Sequence, residues 1–135
     1  IVFAHVLISA SDRINMKDLF RETVFKYRDF DREIDVVDID RTKKISRLIE
    51  VKSKSKIDVN RVFKNEAKHL YDDEVLKNIG ADDGYAISRI IVYQGESKAI
   101  PHPKGNLVLS NIEEFICNIQ KLQTYLDKLA DSQHQ

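Results

Sequence analysis

"REIDVVDIDRTKKISRLIEVKSK", Arg32 to Lys54, sets two apolar runs on either side of a short polar connection, each run with a carboxylate inside it. "REIDVVDI" and "SRLIEVKSK" are β-branched and apolar at their centres, and Arg41 to Lys44 is short enough for a hairpin-like turn, so the stretch reads as two neighbouring strands. Side chains alternate faces along a strand, which places Glu50 and Lys52 on one side and Ile49 and Val51 on the other. Antiparallel pairing would then bring Asp35 close to Glu50, and two carboxylates held together repel unless something positive lies between them.

A divalent metal is the natural candidate. Magnesium binds through one or two carboxylates and keeps its other positions for water and phosphate oxygens. Such an ion lowers the pKa of a bound water and offsets charge developing on a phosphate, and Lys52 would add electrostatic stabilisation worth roughly 2 to 4 kcal/mol. The pattern Glu-x-Lys by itself carries little, because it occurs at Glu50, Glu66 and Glu96. Glu66 falls in a predicted helix, where a spacing of two does not share a face, and Glu96 follows the turn residue Gly95. Only Glu50 sits in an apolar strand preceded by an acid-bearing strand.

Working outward, "ETVFKYR" suits a strand before this pair. Asp58 is a plausible N-cap for a helix carrying Val59, Val62, Phe63, Ala67 and Leu70 and ending by Gly80. "GYAISRIIVY" reads as the next strand, "AIPHPKG" as a loop and "NLVLS" as a short strand. Ser110 and Glu113 suggest a capping box for a final helix whose stripe is Ile112, Phe115, Ile116, Ile119, Leu122, Leu126 and Leu129, with "ADSQHQ" fraying beyond it. Ile1 to Ala10 fit neither the helical nor the strand period. The order of elements predicts an α/β domain with a central mixed sheet.

The chain has 135 residues, 42% hydrophobic and 33% charged, which suits one domain and excludes a disordered or fibrous class. No apolar run approaches the ~18 residues of a membrane span. The single cysteine, Cys117, excludes an internal disulfide, is expected to pack in the final helix, and points to a reducing cytoplasm. The opening "IVFAHVLISA" lacks Met and a basic n-region, so it reads as part of a longer protein rather than a signal peptide. Net charge is zero, but Arg41 to Lys64 holds nine basic residues against two acids, a local excess of seven around the opening motif.

"EIDVV" followed by "LIEVK" resembles the core of the PD-(D/E)xK nuclease superfamily, which carries Asp on one strand and Glu/Asp-x-Lys on the next. More narrowly, the order "YRDFDREIDVV", "LIEVKSK", "GYAIS", "GNLVLSNIEEFI" is similar to the nuclease-like C-terminal domain of a group of bacterial and archaeal AAA+-type ATPases. The resemblance covers most of the chain and is strongest over Tyr27 to Ser53. It implies a restriction-endonuclease-like fold with an αβββαβ core, in which "IVFAHVL" is the tail of the opening helix. It further implies Asp35, Glu50 and Lys52 as catalytic residues, and Mg²⁺ or Mn²⁺ held by Asp35, Glu50 and the Val51 carbonyl.

The acid that many members carry on the opening helix is not among Ile1 to Ala10, and Glu33, placed by alternation on the strand face of Asp35, is a substitute candidate. Arg28, Lys54 and Lys56 are the candidate DNA or RNA contacts, the two lysines as a continuation of the Lys52 face. ATP would belong to an N-terminal ATPase domain outside this chain, since no G-x-x-x-x-G-K-[ST] occurs.

Plainer readings compete. Asp35, Glu50 and Lys52 could be a cross-strand salt bridge that pins the hairpin register. Glu33, Asp38 and Asp40 read as solvated strand-edge acids, and Tyr27 and Arg28 as packing and surface residues. His102 has no second ligand at metal spacing. A non-catalytic nucleic-acid or protein-interaction module, and a dimerisation domain using the terminal helix, are the alternative functions.

Overall fold

Each strand-like run of the sequence forms a strand in the computed structural model, which describes residues 22–118 and Lys128. The reading of "IVFAHVL", Ile1 to Leu7, as a helix tail, the apolar stripe from Ile119 onward and the fraying tail lie outside the described residues. The strands are β1 (Glu22–Asp29), β2 (Arg32–Asp40), β3 (Ile45–Val51), β4 (Ala86–Tyr93), β5 (Lys98–Ile100) and β6 (Leu107–Asn111). They form one mixed sheet in the order β1-β2-β3-β4-β6-β5. β1, β2 and β3 are an antiparallel meander; β4 lies parallel to β3 and β6 parallel to β4, with β5 antiparallel at the far edge.

The hairpin register follows from its turn. Asp40 accepts hydrogen bonds from the amides of Thr42 and Lys43, each at 3.0 Å, and Lys44 turns the chain with φ 54°. Asp40 therefore pairs with Ile45 and Val36 with Ile49. The predicted strand "SRLIEVKSK" stops earlier than expected, at Val51. Asp38 and Asp40, read from sequence as solvated edge acids, are buried instead. Asp40 serves the turn, and Asp38 meets Arg47 at 2.5 Å across the ladder, which gives a buried charge its required counterpart.

Each face of the sheet has its own core. Val37, Leu48, Ile91, Leu107 and Leu109 pack against Val62, Leu70 and Val75 of the β3–β4 crossover. On the opposite face Val36, Ile49 and Val92 pack against Ile112 and Phe115 of the helical residues 112–118. Cys117 is exposed, not packed. Ile112 and Phe115, three apart, define the buried side, and Cys117 lies about 200° of helix rotation from Phe115.

The crossover departs from the single predicted helix. Residues 59–68 are successive turns, followed by a 3₁₀ turn (His69–Tyr71) and a short helix α1 (Asp73–Asn78). Asp58 accepts from the Asn60 amide, a local turn bond that competes with helix capping. The amides of Lys64 and Ala67 reach the carbonyls of Arg61 and Val62, three and five residues back, instead of a regular four. Val62, Ala67 and Leu70 are buried all the same. Val59, expected on the same face, is exposed, so the apolar spacing holds only in part.

The true cap is Asp72, whose side chain accepts from the Glu74 amide at 3.0 Å and from Arg32 Nε at 2.6 Å. Asp72→Ala is expected to cost about 1 to 2 kcal/mol, read as a lower denaturation midpoint, and Asp72→Asn to recover about half of it.

Two smaller expectations also change. The segment read as a loop, "AIPHPKG", begins inside β5, where Ala99 pairs with Val108. Extended backbone before Pro101 is compatible with an edge strand. At the final helix Asn111, not Ser110, is the cap, its Oδ1 accepting from the amides of Glu113 and Glu114.

Candidate functional site

β2 and β3 bring Asp35, Glu50 and Lys52 together at the carboxyl end of β3. Regular pairing of the two strands stops at Val36–Ile49, and Asp35 and Glu50 occupy the next position of the same register. There backbone pairing gives way to side chains. The Asp35 amide donates to Glu50 Oε1 at 3.2 Å, and the Val51 amide donates to Asp35 Oδ2 at 2.7 Å. Lys52 Nζ lies 3.3 Å from Glu50 Oε2. Glu50 and Lys52 share a side, as alternation requires, while Ile49 and Val51 turn to the second core.

A local break in β2 makes this possible. Ile34 and Val37 both belong to the first core although three positions separate them, so strict alternation fails around Asp35. The β1–β2 ladder skips the same place: Phe25–Val36 and Tyr27–Ile34 pair, Lys26 opposite Asp35 does not, and Lys26 has φ 56°. The register is the same on both sides of the gap, so no residue is inserted. The Asp35 amide is thereby available to a carboxylate.

Electrostatics set the chemistry of the group. Burial pushes the Glu50 carboxyl up to about 7, and the neighbouring Asp35 charge adds to the rise, while Lys52 and the Asp35 amide oppose it. Lys52 is the more accessible of the two, its side chain 33% exposed against 10% for Glu50. Asp35 and Glu50 are the two hard oxygen donors here, and a small divalent cation between them would offset both the burial of the Glu50 charge and its repulsion by Asp35. Among the described residues, no group of three or more His, Cys, Asp or Glu could hold a metal ion.

The remaining predicted residues are placed less centrally. Glu33 is exposed and its carboxylate lies 3.5 Å from Arg28 across the β1–β2 ladder. Lys54 lies beyond the end of β3, where its Nζ meets Glu66 Oε1 at 2.8 Å, and Lys52 acts on the same carboxylate. Lys56 is exposed. Glu66 is the site-proximal residue that the sequence concealed. Burial opposes its charge, yet the Lys54 hydrogen bond and the Lys54 and Lys52 charges hold it below the usual carboxylate range. Its partner is twelve positions away in the chain, so no local spacing marks the pair.

Fold and site together define a mixed α/β domain with a carboxylate pair and a lysine at the carboxyl edge of its sheet. No family model, curated protein or solved structure compared with this chain matches it. Among the described residues no helix is long and apolar enough to cross a membrane.

Proposed function

We propose that this chain is a divalent-metal-dependent phosphodiesterase domain with a restriction-endonuclease-like fold, cutting DNA or RNA in the cytoplasm as part of a longer AAA+-type ATPase. The observation that carries the reading is the Asp35–Glu50 pair joined to Lys52, built on adjacent strands at one open edge. The antiparallel β1–β2–β3 meander, the crossover and the parallel β4 support it, since the resembled core has three strands, a helix and a further strand in that order.

In this reading Asp35, Glu50 and the Val51 carbonyl hold Mg²⁺ or Mn²⁺, which when bound supplies Lewis acidity and a more acidic water. Lys52 orients the attacking water and offsets charge on the phosphate. Lys54, Lys56 and Arg28 are the candidate cations for the backbone of the nucleic acid. A non-catalytic nucleic-acid or protein-interaction module is the second reading, favoured by the pair having no third acid among the described residues.

Titration calorimetry with Mn²⁺ separates the two. The chain is expected to bind the ion and Asp35→Ala to lose at least about tenfold in affinity, the lower bound already seen when only an outer-shell partner of a metal ligand is removed. Absence of any ion binding by the unaltered chain would leave the catalytic reading without support.

A further inference from the structure

We propose that Phe30, at the tip of the β1–β2 hairpin, is a stacking residue for an unpaired base of single-stranded nucleic acid; this rests on the nucleic-acid reading of the site. Phe30 is 103% exposed. The other exposed large apolar side chains among the described residues are Val24, Val59 and Val108, on β1, the crossover and β6, each at about two fifths exposure. The ring is therefore not placed by burial.

Nor is it placed by the turn. Asp29 pairs with Arg32, leaving Phe30 and Asp31 as a two-residue loop, and Phe30 has φ 51°. A positive φ at the first loop position favours glycine, and a bulky aromatic there is an outlier. Backbone outliers of this kind concentrate where a side chain must be presented.

The hairpin base is stiff. Asp29 accepts from Tyr27 Oη at 3.0 Å and from Arg32 Nη1 at 3.3 Å, Asn78 of α1 also donates to it, and Arg32 is tied to Asp72. A braced tip presents its ring at low entropic cost, as an aromatic anchor should.

Its position relates it to the site. β2 runs antiparallel to β3, so the amino end of β2 and the tip project from the sheet edge where Glu50 and Lys52 lie. Five positions separate Phe30 from Asp35, about 16 Å of strand, a length that a handful of nucleotides covers.

The chemistry favours a base over a phosphate or a protein. A phenyl ring offers no hydrogen-bond donor or charge to a phosphate, whereas any base offers it a π face. A protein partner needs on the order of 800 Å² from each side, far more than one ring supplies.

The test measures binding of a labelled, mixed-sequence single-stranded oligonucleotide by the full chain, with Phe30→Ala and Phe30→Tyr beside it, and monitors melting and sedimentation of each. Phe30→Ala is expected to weaken binding at least about fivefold with melting unchanged, and Phe30→Tyr to stay within about twofold, as base–aromatic stacking requires. Equal binding by Phe30→Ala would overturn the stacking role and leave the nucleic-acid reading standing. No binding by the unaltered chain would remove both. Loss of self-association in Phe30→Ala, with oligonucleotide binding intact, would reassign the ring to a protein contact and overturn the proposal.

Discussion

Lys52→Ala is expected to lower Mg²⁺-dependent cleavage of DNA or RNA by at least about a hundredfold while leaving the fold intact. The ammonium group lies 3.3 Å from Glu50 Oε2 on a side chain one third exposed, so it is held by the site and still reachable by substrate. In the proposed reaction a fixed charge in such a position would act where negative charge develops on the phosphate, and its removal would be felt in the transition state more than in binding. The fold has little at stake, because a partly exposed ion pair contributes about 1 kcal/mol at most. Lys52→Arg keeps the charge but replaces a compact ammonium by a planar fork, and it is expected to recover only part of the rate. Initial rates at saturating Mg²⁺, compared among the three proteins, decide the matter. Equal rates for the unaltered chain and Lys52→Ala would remove Lys52 from the chemistry.

The site was legible in the sequence as far as strand physics reaches. Alternation alone put Glu50 and Lys52 on one side, and the short connection at residues 41–44 set the strands antiparallel, so Asp35 met Glu50. What alternation could not convey is its own failure at Asp35, where Ile34 and Val37 face the same core. That break depends on Lys26 in the neighbouring strand, whose positive φ no propensity anticipates. Glu33 was placed beside Asp35 by a periodicity that stops holding there, and its carboxylate lies beside Arg28 instead.

Contacts between distant segments were hidden for a different reason. Glu66 and Lys54 meet because the crossover folds back over β3, and Asp38 is buried because β3 supplies Arg47 opposite it. The crossover itself shows how far periodicity can mislead. Of the five apolar positions read as a helical stripe, Val62, Ala67 and Leu70 are buried and Val59 is exposed, while Asp58 and Asp72 divide the segment into turns and one short helix by taking backbone amides for themselves. Apolar spacing reports which residues face the core, and hydrogen-bond competition decides what backbone carries them.

Glu50→Gln should expose the conflict between stability and function at this site. Glu50 titrates near 7 in the fold against an ordinary 4.5, through burial first and the Asp35 charge second. Between those values the folded chain keeps a proton that the unfolded chain has released. Stability therefore falls as pH rises from about 4.5 to about 7 and stays low above it, a total of about 3 kcal/mol at most. Glutamine imitates the protonated acid: its carbonyl can still accept from the Asp35 amide, and it carries no charge against Asp35. The opposing Lys52 attraction is already contained in that net rise, so the variant is expected to melt higher than the unaltered chain above pH 7 and about equally near pH 4. The same change would remove a ligand of the proposed metal. Mn²⁺ should raise the melting temperature of the unaltered chain at alkaline pH through binding to the native state alone, and leave Glu50→Gln unmoved. A variant less stable than the parent above pH 7 would mean that Lys52 outweighs both burial and the neighbouring carboxylate at Glu50. A variant still stabilised by Mn²⁺ would place the ion elsewhere.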